Sequence, residues 1–434
     1  MVKPWKNPVF ASALICGFLV YSKILPIKEK NPFSSPVPKE KITEIFGKVA
    51  SNPVKSEFFG GTYKISFEAS KVKSCDFSSS SFPGKIGGDS GGKASGITTV
   101  FIPAEIVEAL YPGKLYTAAE NKKRAPLIEN GANLVLKVKY IQRKNMENCF
   151  LAASAKKNPF SNDEKNLKSK IVRFRSLCRL QFKRLMHAWG SAGGLLLALV
   201  SGSREYTEKD LSNAFRSAGL SHILALSGMH LSLFGGLAQF LGKKLSSKNI
   251  AAGFQFCALL FFVWFAGISP SLFRAFLSSL IIFAAAVFRI NRPQGLSVLS
   301  LSFLIHIVIF PEHIFDLGFM LSYSSLAGII LLSNSVKKII HPVIPFKLRS
   351  SLGDSASAQL ATAPVALKFF GKIMPVGIFA SVVVSPLVVI FLYFGLFGMA
   401  LCLALPFLNV PISAIMNGVY KIIKLLVLNF SRFS

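Results

Sequence analysis

Apolar positions change their spacing along the chain, and each change predicts a different kind of element. After Lys3 and Lys6, residues 9–25 form an apolar run with no convincing small-x-small cleavage site, and Ser22, Lys23 and Pro26 interrupt its end. A retained membrane anchor over 1–25, N-terminus in the cytoplasm, fits this better than a cleaved signal peptide. Lys23 can snorkel at the far end. The pattern then shifts to period two. In 62–67, Tyr63, Ile65 and Phe67 share one face; in 133–140, Leu134, Leu136, Val138 and Tyr140 do the same. Both read as half-buried strands, separated by a Ser- and Gly-rich loop over 78–96. Residues 26–163 are therefore expected to form a small β-domain.

Residues 164–187 mix Leu167, Ile171, Phe174, Leu177 and Leu180 with Lys168, Lys170, Arg173, Arg175, Arg179, Lys183 and Arg184. That pattern predicts a basic amphipathic helix lying on a membrane surface. The apolar stretch 188–200 is short against the roughly 20 residues a spanning helix needs. Longer apolar segments follow at 221–242, 251–267, 271–289, 294–310 and 314–333, with weaker ones near 355–370, 376–405 and 409–430. Pro375, Pro386, Pro406 and Pro411 are expected to break the last region. Residues 188–434 thus read as a polytopic helical membrane domain.

Loop charges orient it. Lys243, Lys244 and Lys248, then Arg289 and Arg292, then Lys337, Lys338, Lys347 and Arg349 fall in alternate connections, which places those loops in the cytoplasm. The β-domain is then outside the inner membrane. Six cysteines fit this: Cys16, Cys257 and Cys402 lie in apolar spans and Cys178 on the surface helix, while Cys75 and Cys149 share the exported domain, where a disulfide between them can persist. The net charge of +30 attracts nucleic acid or anionic lipid. After Arg184 only Glu205, Glu208, Asp210, Glu312, Asp316 and Asp354 remain to repel a polyanion.

The stretch 216–240 concentrates the polar residues of the membrane half. Gly228, Ser232 and Gly236 repeat a small-xxx-small pattern that favours close helix contact. Read as one helix, it sets His222 and His230 about 12 Å apart along the axis and roughly 80° apart around it. Ser227 and His230 form an i,i+3 pair. Arg274 and Asp316 begin their spans at the same outer level and are expected to pair, and with His222 they would form a vestibule. Ordinary helix packing is the competing reading. No His-Glu-x-x-His or His-x-His-x-Asp-His pattern, and no Gly-x-x-x-x-Gly-Lys-Ser/Thr loop, occurs. No metal or other cofactor is expected: no zinc-hydrolase site is readable, and the chain is read as a non-enzyme that is not its own ATP motor.

The segment A-G-L-S-H-I-L-A-L-S-G-M-H-L closely resembles a signature of the ComEC competence family. Three collinear matches follow: G-I-S-P-S-L-F-R-A around Arg274, D-L-G-F-M-L-S with Asp316 and Gly318, and S-A-S-A-Q-L-A-T-A-P with Gln359. G-K-V-A-S-N-P-V-K from Gly47 also resembles the opening strand of that family's OB-like barrel, although the family's Asn-Pro-Gly-x-Phe segment is missing. The resemblance implies a channel that passes single-stranded DNA into the cytoplasm, with His222, Ser227, Gly228, His230, Arg274, Asp316, Gly318 and Gln359 as candidate path residues. It implies a separate cytoplasmic ATP-driven motor and a periplasmic or surface DNA receptor as partners, beside membrane lipid. A homo-oligomer stays open. The metallo-β-lactamase-like domain of many relatives is not in this sequence. A barrel of this kind would contact DNA through Lys64, Lys71, Lys73, Lys137, Lys139 and Arg143, with Tyr63 and Tyr140 nearby as stacking platforms. The alternatives are a secondary transporter of a small anion, and an intramembrane hydrolase using Ser227 or Ser232 with His230.

Overall fold

The computed structural model describes residues 7–22, 33–56, 59–74, 91–110, 127–143, 146–157, 167–245, 248–290, 293–341 and 343–433. They divide into two compact units. One holds Glu29–Gly194 with Ser203–Tyr206, and the other holds Met1–Lys28, Leu195–Gly202 and Thr207–Ser434.

In the first unit the period-two segments become strands. These are β1 (Ile42–Val49), β2 (Val54–Lys55), β3 (Thr62–Ser74), β4 (Gly91–Lys93), β5 (Ile97–Pro103), β6 (Asn133–Arg143) and β7 (Met146–Lys157). The sheet runs β1-β6-β7-β5-β3, and β3 pairs back to β1, which closes a five-stranded barrel. β5 and β7 are parallel, while the other ring pairs are antiparallel. This is OB-type connectivity, as the family resemblance implied. Inward residues Ile45, Val49, Ile65, Phe67, Val100, Leu136 and Phe150 fill the core. Gly47 sits at a register irregularity between β1 and β3, where a side-chain Cβ would lie 2.0 Å from the Glu68 carbonyl oxygen. Only glycine lets the two strands approach that closely.

Helix α2 (Ala104–Glu108) links β5 towards β6, and α3 (Leu167–Ala188) belongs to the same unit. The helix expected from the basic amphipathic pattern is present, and part of its charge turns inward. Arg179 and Lys183 are buried: Arg179 Nε donates to Glu129 at 3.0 Å, Lys183 Nζ donates to Glu205 at 2.9 Å, and Lys183 also pairs with Glu129. Burial alone would raise the Glu129 carboxyl, but Lys183 and Arg179 together hold it below its ordinary range. Burial opposes the charge on Lys183 too, yet Glu129 and Glu205 lift its ammonium above the usual value. One face of α3 is thus an internal ion cluster, and Leu180 joins the barrel core. Ile171, Phe174 and Leu177 stay exposed.

The second unit is helical. It begins with α1 (Pro8–Tyr21), capped by the Asn7 side chain and packed on α10 (Gly295–Ile309) at Gly17 and Phe303. The boundary between the units falls inside α4 (Gly190–Ser201), whose 12 residues match the short apolar stretch expected there. The unit continues through α5 (Lys209–Ser217), α6 (Ser221–Leu224), α7 (Gly228–Leu245), α8 (Lys248–Ala266) and α9 (Pro270–Val287). After α10 come α11 (Leu317–Ile339), α12 (Phe346–Phe370), α13 (Val376–Ala404) and α14 (Asn409–Ser431). Among the described residues, α9, α11, α13 and the segment Pro406–Ser431 are long and apolar enough to cross a membrane.

Two expectations change. Residues 221–242 are not one helix, because Ala225 is extended (ψ 137°) and the chain re-enters helix only at Gly228. Pro386 does not break its span either. α13 runs through it for 29 residues, as α12 runs through Pro364. Neighbouring helices and local adjustment can satisfy the freed carbonyl.

Candidate functional site

The break after α6 decides what the signature residues do. Ser227 stands just before α7, and His230 in its first turn folds back on it. The Nδ1 of His230 accepts the Ser227 backbone N–H at 3.2 Å and lies 3.2 Å from Ser227 Oγ. This is the reach-back half of a capping box, with an imidazole where Glu or Gln usually stands. The serine–histidine contact expected from the i,i+3 spacing is present. Because Nδ1 accepts, a neutral ring carries its proton on Nε2. That N–H is buried with no hydrogen-bond partner among the described residues, and His230 is 0% exposed. A second ring nitrogen held by a carboxylate would orient the histidine as a base; none holds this one. His222 is on α6 and exposed, so the single-helix spacing between the two histidines does not apply.

Gly228 provides the close approach that the small-residue pattern suggested. A Cβ there would sit 3.3 Å from Ala275 Cβ and 3.5 Å from both terminal nitrogens of Arg274. The pattern does not extend further, since nothing lies within 4 Å of a Cβ at Gly236 and Ser232 is exposed. Gly235 instead meets Leu259 and Gln255 of α8.

Arg274 does not pair with Asp316. Its Nε and Nη2 donate to Ser322 Oγ at 3.1 and 2.9 Å, and among the described residues no carboxylate pairs with it. Asp316 occupies the N-cap position of α11, where its backbone carbonyl accepts from Phe319 and Met320. A carboxylate there answers the positive end of the helix dipole without needing an arginine. Two residues on, Gly318 offers its carbonyl to Ser271 Oγ at 3.0 Å, tying α11 to α9.

Beside Arg274 lies a polar chain that the sequence reading missed. His306 Nε2 is 3.0 Å from His313 Nδ1, and His306 Nδ1 is 3.2 Å from the Tyr323 hydroxyl. Phe273, Phe310 and Phe319 ring the central imidazole edge-on. Spacing gave no signal, because His306 is near the end of α10, His313 is in the turn Pro311–Phe315 and the tyrosine lies on the next helix. Only Tyr323, adjacent to the D-L-G-F-M-L-S segment, stood near a motif.

Gln359 is placed away from this group. Its Nε2 donates to the Met374 carbonyl at 2.8 Å and would lie 2.7 Å from a Cβ at Gly377, itself packed on Gly219. It fixes the α12–α13 connection.

On the barrel, the candidate cations separate. Lys71 faces Lys93 and Phe46, while Lys73 and Lys137 flank Glu44 from either side. Lys137 and Lys139 alternate onto the same exposed face of β6. Lys64, also exposed, lies at the other end of β3 opposite Val54 and Phe101. Arg143 ends β6 opposite Met146; its side chain is outside the described residues. Tyr63 is not a stacking platform. It is fully buried with its hydroxyl donating to Glu108, and burial, then Glu108, push its phenol far above the ordinary value. Tyr140 is half-buried, edge-on to Phe150. Cys149 is buried in β7, opposite Thr99 and Ile141, and Cys75 lies outside the described residues.

"ComE operon protein 3" of Bacillus subtilis is 26% identical over 198 residues, 44% of this chain. The chain spans about a quarter of that relative's length, the aligned share being 24%. No solved structure matches. The model of the competence protein family matches residues 199–434, which hold Ser227, His230, Arg274 and Ser322 together. That match takes in more than half of the 434 residues, and on it the chain belongs to the competence protein family.

Proposed function

We propose that the helical unit is a passage through the inner membrane for single-stranded DNA entering the cytoplasm. One observation carries the reading most: Arg274 is a cation on an apolar helix whose hydrogen-bond partner is the neutral hydroxyl of Ser322. An uncompensated charge in such a place costs several kcal/mol on the scale of buried ions, about what one broken ion pair costs. A passing phosphate supplies the missing negative charge. The buried Nε2 of His230, without a hydrogen-bond partner among the described residues and in the same turn as Gly228, is a further donor for it. Membership in the competence family favours a polyanion over a small anion, and no enzyme family is indicated for the Ser227–His230 contact.

In this reading the protein crosses the membrane several times with its Lys- and Arg-rich loops inside and the barrel outside. A separate cytoplasmic motor pulls the strand and an outer receptor delivers it. The test is the fate of labelled DNA in a deletion strain. Uptake into the cytoplasm is expected to stop while binding at the cell surface persists. Undiminished uptake would remove the reading.

The barrel is proposed to touch the strand electrostatically. Lys71 and Lys93 stand directly opposite each other on adjacent strands, an arrangement of like charges that is unfavourable by itself and relieved by an anion. DNA affinity of the purified protein is expected to fall steeply with salt, and Lys71→Ala together with Lys137→Ala should flatten that slope by about one unit for each phosphate no longer neutralised. An unchanged slope would leave the barrel a structural role. The Cys75–Cys149 disulfide is proposed on their shared export alone, and peptide mapping without reductant that recovers both as thiols would refute it.

A further inference from the structure

We infer that the outward face of α14, near its C-terminal end, binds the headgroup of an anionic phospholipid. Lys421, Lys424, Leu425, Leu428 and Arg432 recur at i, i+3, i+4, i+7 and i+11, which at roughly 3.6 residues per turn is one helix face. Arg432, the C-cap, keeps helical dihedrals and so stays in line with the others. Together with Asn429 these residues line an open groove of about 320 Å³. The opposite face holds Met416, Tyr420, Ile423 and Val427, which are buried within the helical unit. Packing therefore uses one face of α14 and leaves the groove face free.

Charge gathers at this end of the helix. Residues 373–420, which contain α13 and the first half of α14, carry no Lys, Arg, Asp or Glu. Pro406–Ser431 is long and apolar enough to cross a membrane, so its cations belong where hydrocarbon meets headgroups. Lys424 forms an ion pair with Glu208, at the N-cap of α5. The side chains of Lys421 and Arg432 make no ion pair among the described residues. Three cations thus meet one carboxylate, a surplus of two positive charges. Lys421 and Lys424 also share a turn, where like charges repel and an anion between them relieves the repulsion.

The leucines decide the class of ligand. Leu425 is 60% exposed and, with Leu428, stands between the cations along the groove. A bare phosphate would answer the charge and leave that apolar floor wet. A nucleic acid strand would find no stacking platform, since none of the described groove residues is aromatic. A phospholipid offers phosphate oxygens to the cations, and glycerol and acyl carbons to the leucines and the lysine stems. The headgroup has to be anionic, because a zwitterionic one brings its own cation and leaves the surplus unanswered.

The inference goes beyond the DNA passage, and its failure leaves that reading standing. The full chain, purified in detergent, is mixed with phosphatidylglycerol or phosphatidylcholine of matched acyl chains, and bound lipid is counted by native mass spectrometry. Wild type is expected to hold phosphatidylglycerol about tenfold or more tightly than phosphatidylcholine. Lys421→Ala with Arg432→Ala should cut that preference by about tenfold or more, since each cation near a membrane surface is worth about fivefold. Both side chains are exposed and outside any ion pair among the described residues, so the fold does not depend on them. Lys338→Ala with Lys347→Ala removes the same charge from exposed positions outside the groove and should leave the preference unchanged. Neither millimolar inorganic phosphate nor an oligothymidylate should displace the lipid. Four results would each overturn the inference: no headgroup preference in wild type, equal losses in the two double variants, displacement by phosphate (a free-anion site), or displacement by the oligonucleotide (a strand contact).

Discussion

Glu129→Ala is expected to destabilise the barrel unit by about 3–5 kcal/mol, the cost of removing one partner from a buried ion pair. The carboxylate is shared. Arg179 and Lys183, both almost fully buried, converge on it from successive turns of α3, and Lys183 also donates to Glu205. Without Glu129 two buried cations face one carboxylate. Hydrogen exchange at β1 and β6 in the full chain should therefore accelerate, since Gly131 and Ala132, next to Glu129, are bonded to Val49 at the end of β1. Glu129→Gln keeps the shape and loses the charge, so it should be destabilising too. Unchanged exchange in both variants would mean that the cluster contributes nothing net.

The same cluster sets a pH window. The Glu129 carboxyl is held below its unfolded range, so its contribution is complete above that range and is lost as pH falls through the lower folded value. The Lys183 ammonium is held above its unfolded range, so its contribution is complete below that range and is lost as pH rises through the higher folded value. Protection of the barrel amides should therefore be flat across neutral pH and fall on both sides.

Two long strands of the barrel, β3 and β6, could be read from the sequence because their information is local. Tyr63, Ile65 and Phe67 alternate with Lys64 and Ser66, and strands of period two need nothing more to declare their inner face. The burial of Arg179 and Lys183 was illegible for the opposite reason. Seen along α3 they look like solvent-facing cations, and their partners lie 50 positions upstream and 22 downstream. The break before α7 was hidden because Leu226, Ser227 and Gly228 sit inside an apolar run, where hydropathy is blind to a capped helix start. Pairing Arg274 with Asp316 followed from shared membrane level, but level does not fix azimuth. Ser322, 48 positions along, projects to the guanidinium, while Asp316 stands at the N-cap position of α11. The motifs located the neighbourhood, and three-dimensional packing chose the partners.

Arg274→Gln is expected to lower DNA uptake by about tenfold or more while leaving protein abundance equal or higher. The two halves of that expectation have separate causes. A charge-assisted contact to phosphate is worth about 1.5–3 kcal/mol, and about 1.4 kcal/mol is a factor of ten. Abundance should not fall, because among the described residues the guanidinium has a serine and no carboxylate to pair with, so neutralising it removes a desolvation cost and breaks no ion pair. Glutamine keeps an amide donor for Ser322 Oγ. Arg274→Lys should recover part of the uptake, since it restores the charge but not the fork that meets Ser322 through two nitrogens. The combination of Arg274→Gln with Ser322→Ala should cost less than the two singles together, as expected of residues in contact. Arg274→Gln with Asp316→Asn should be additive, because the N-cap of α11 answers to its own helix. A loss of folded protein in Arg274→Gln that accounts for all of the reduced uptake would make this arginine a structural residue, and non-additivity with Asp316 in place of Ser322 would restore the ion pair that the geometry denies.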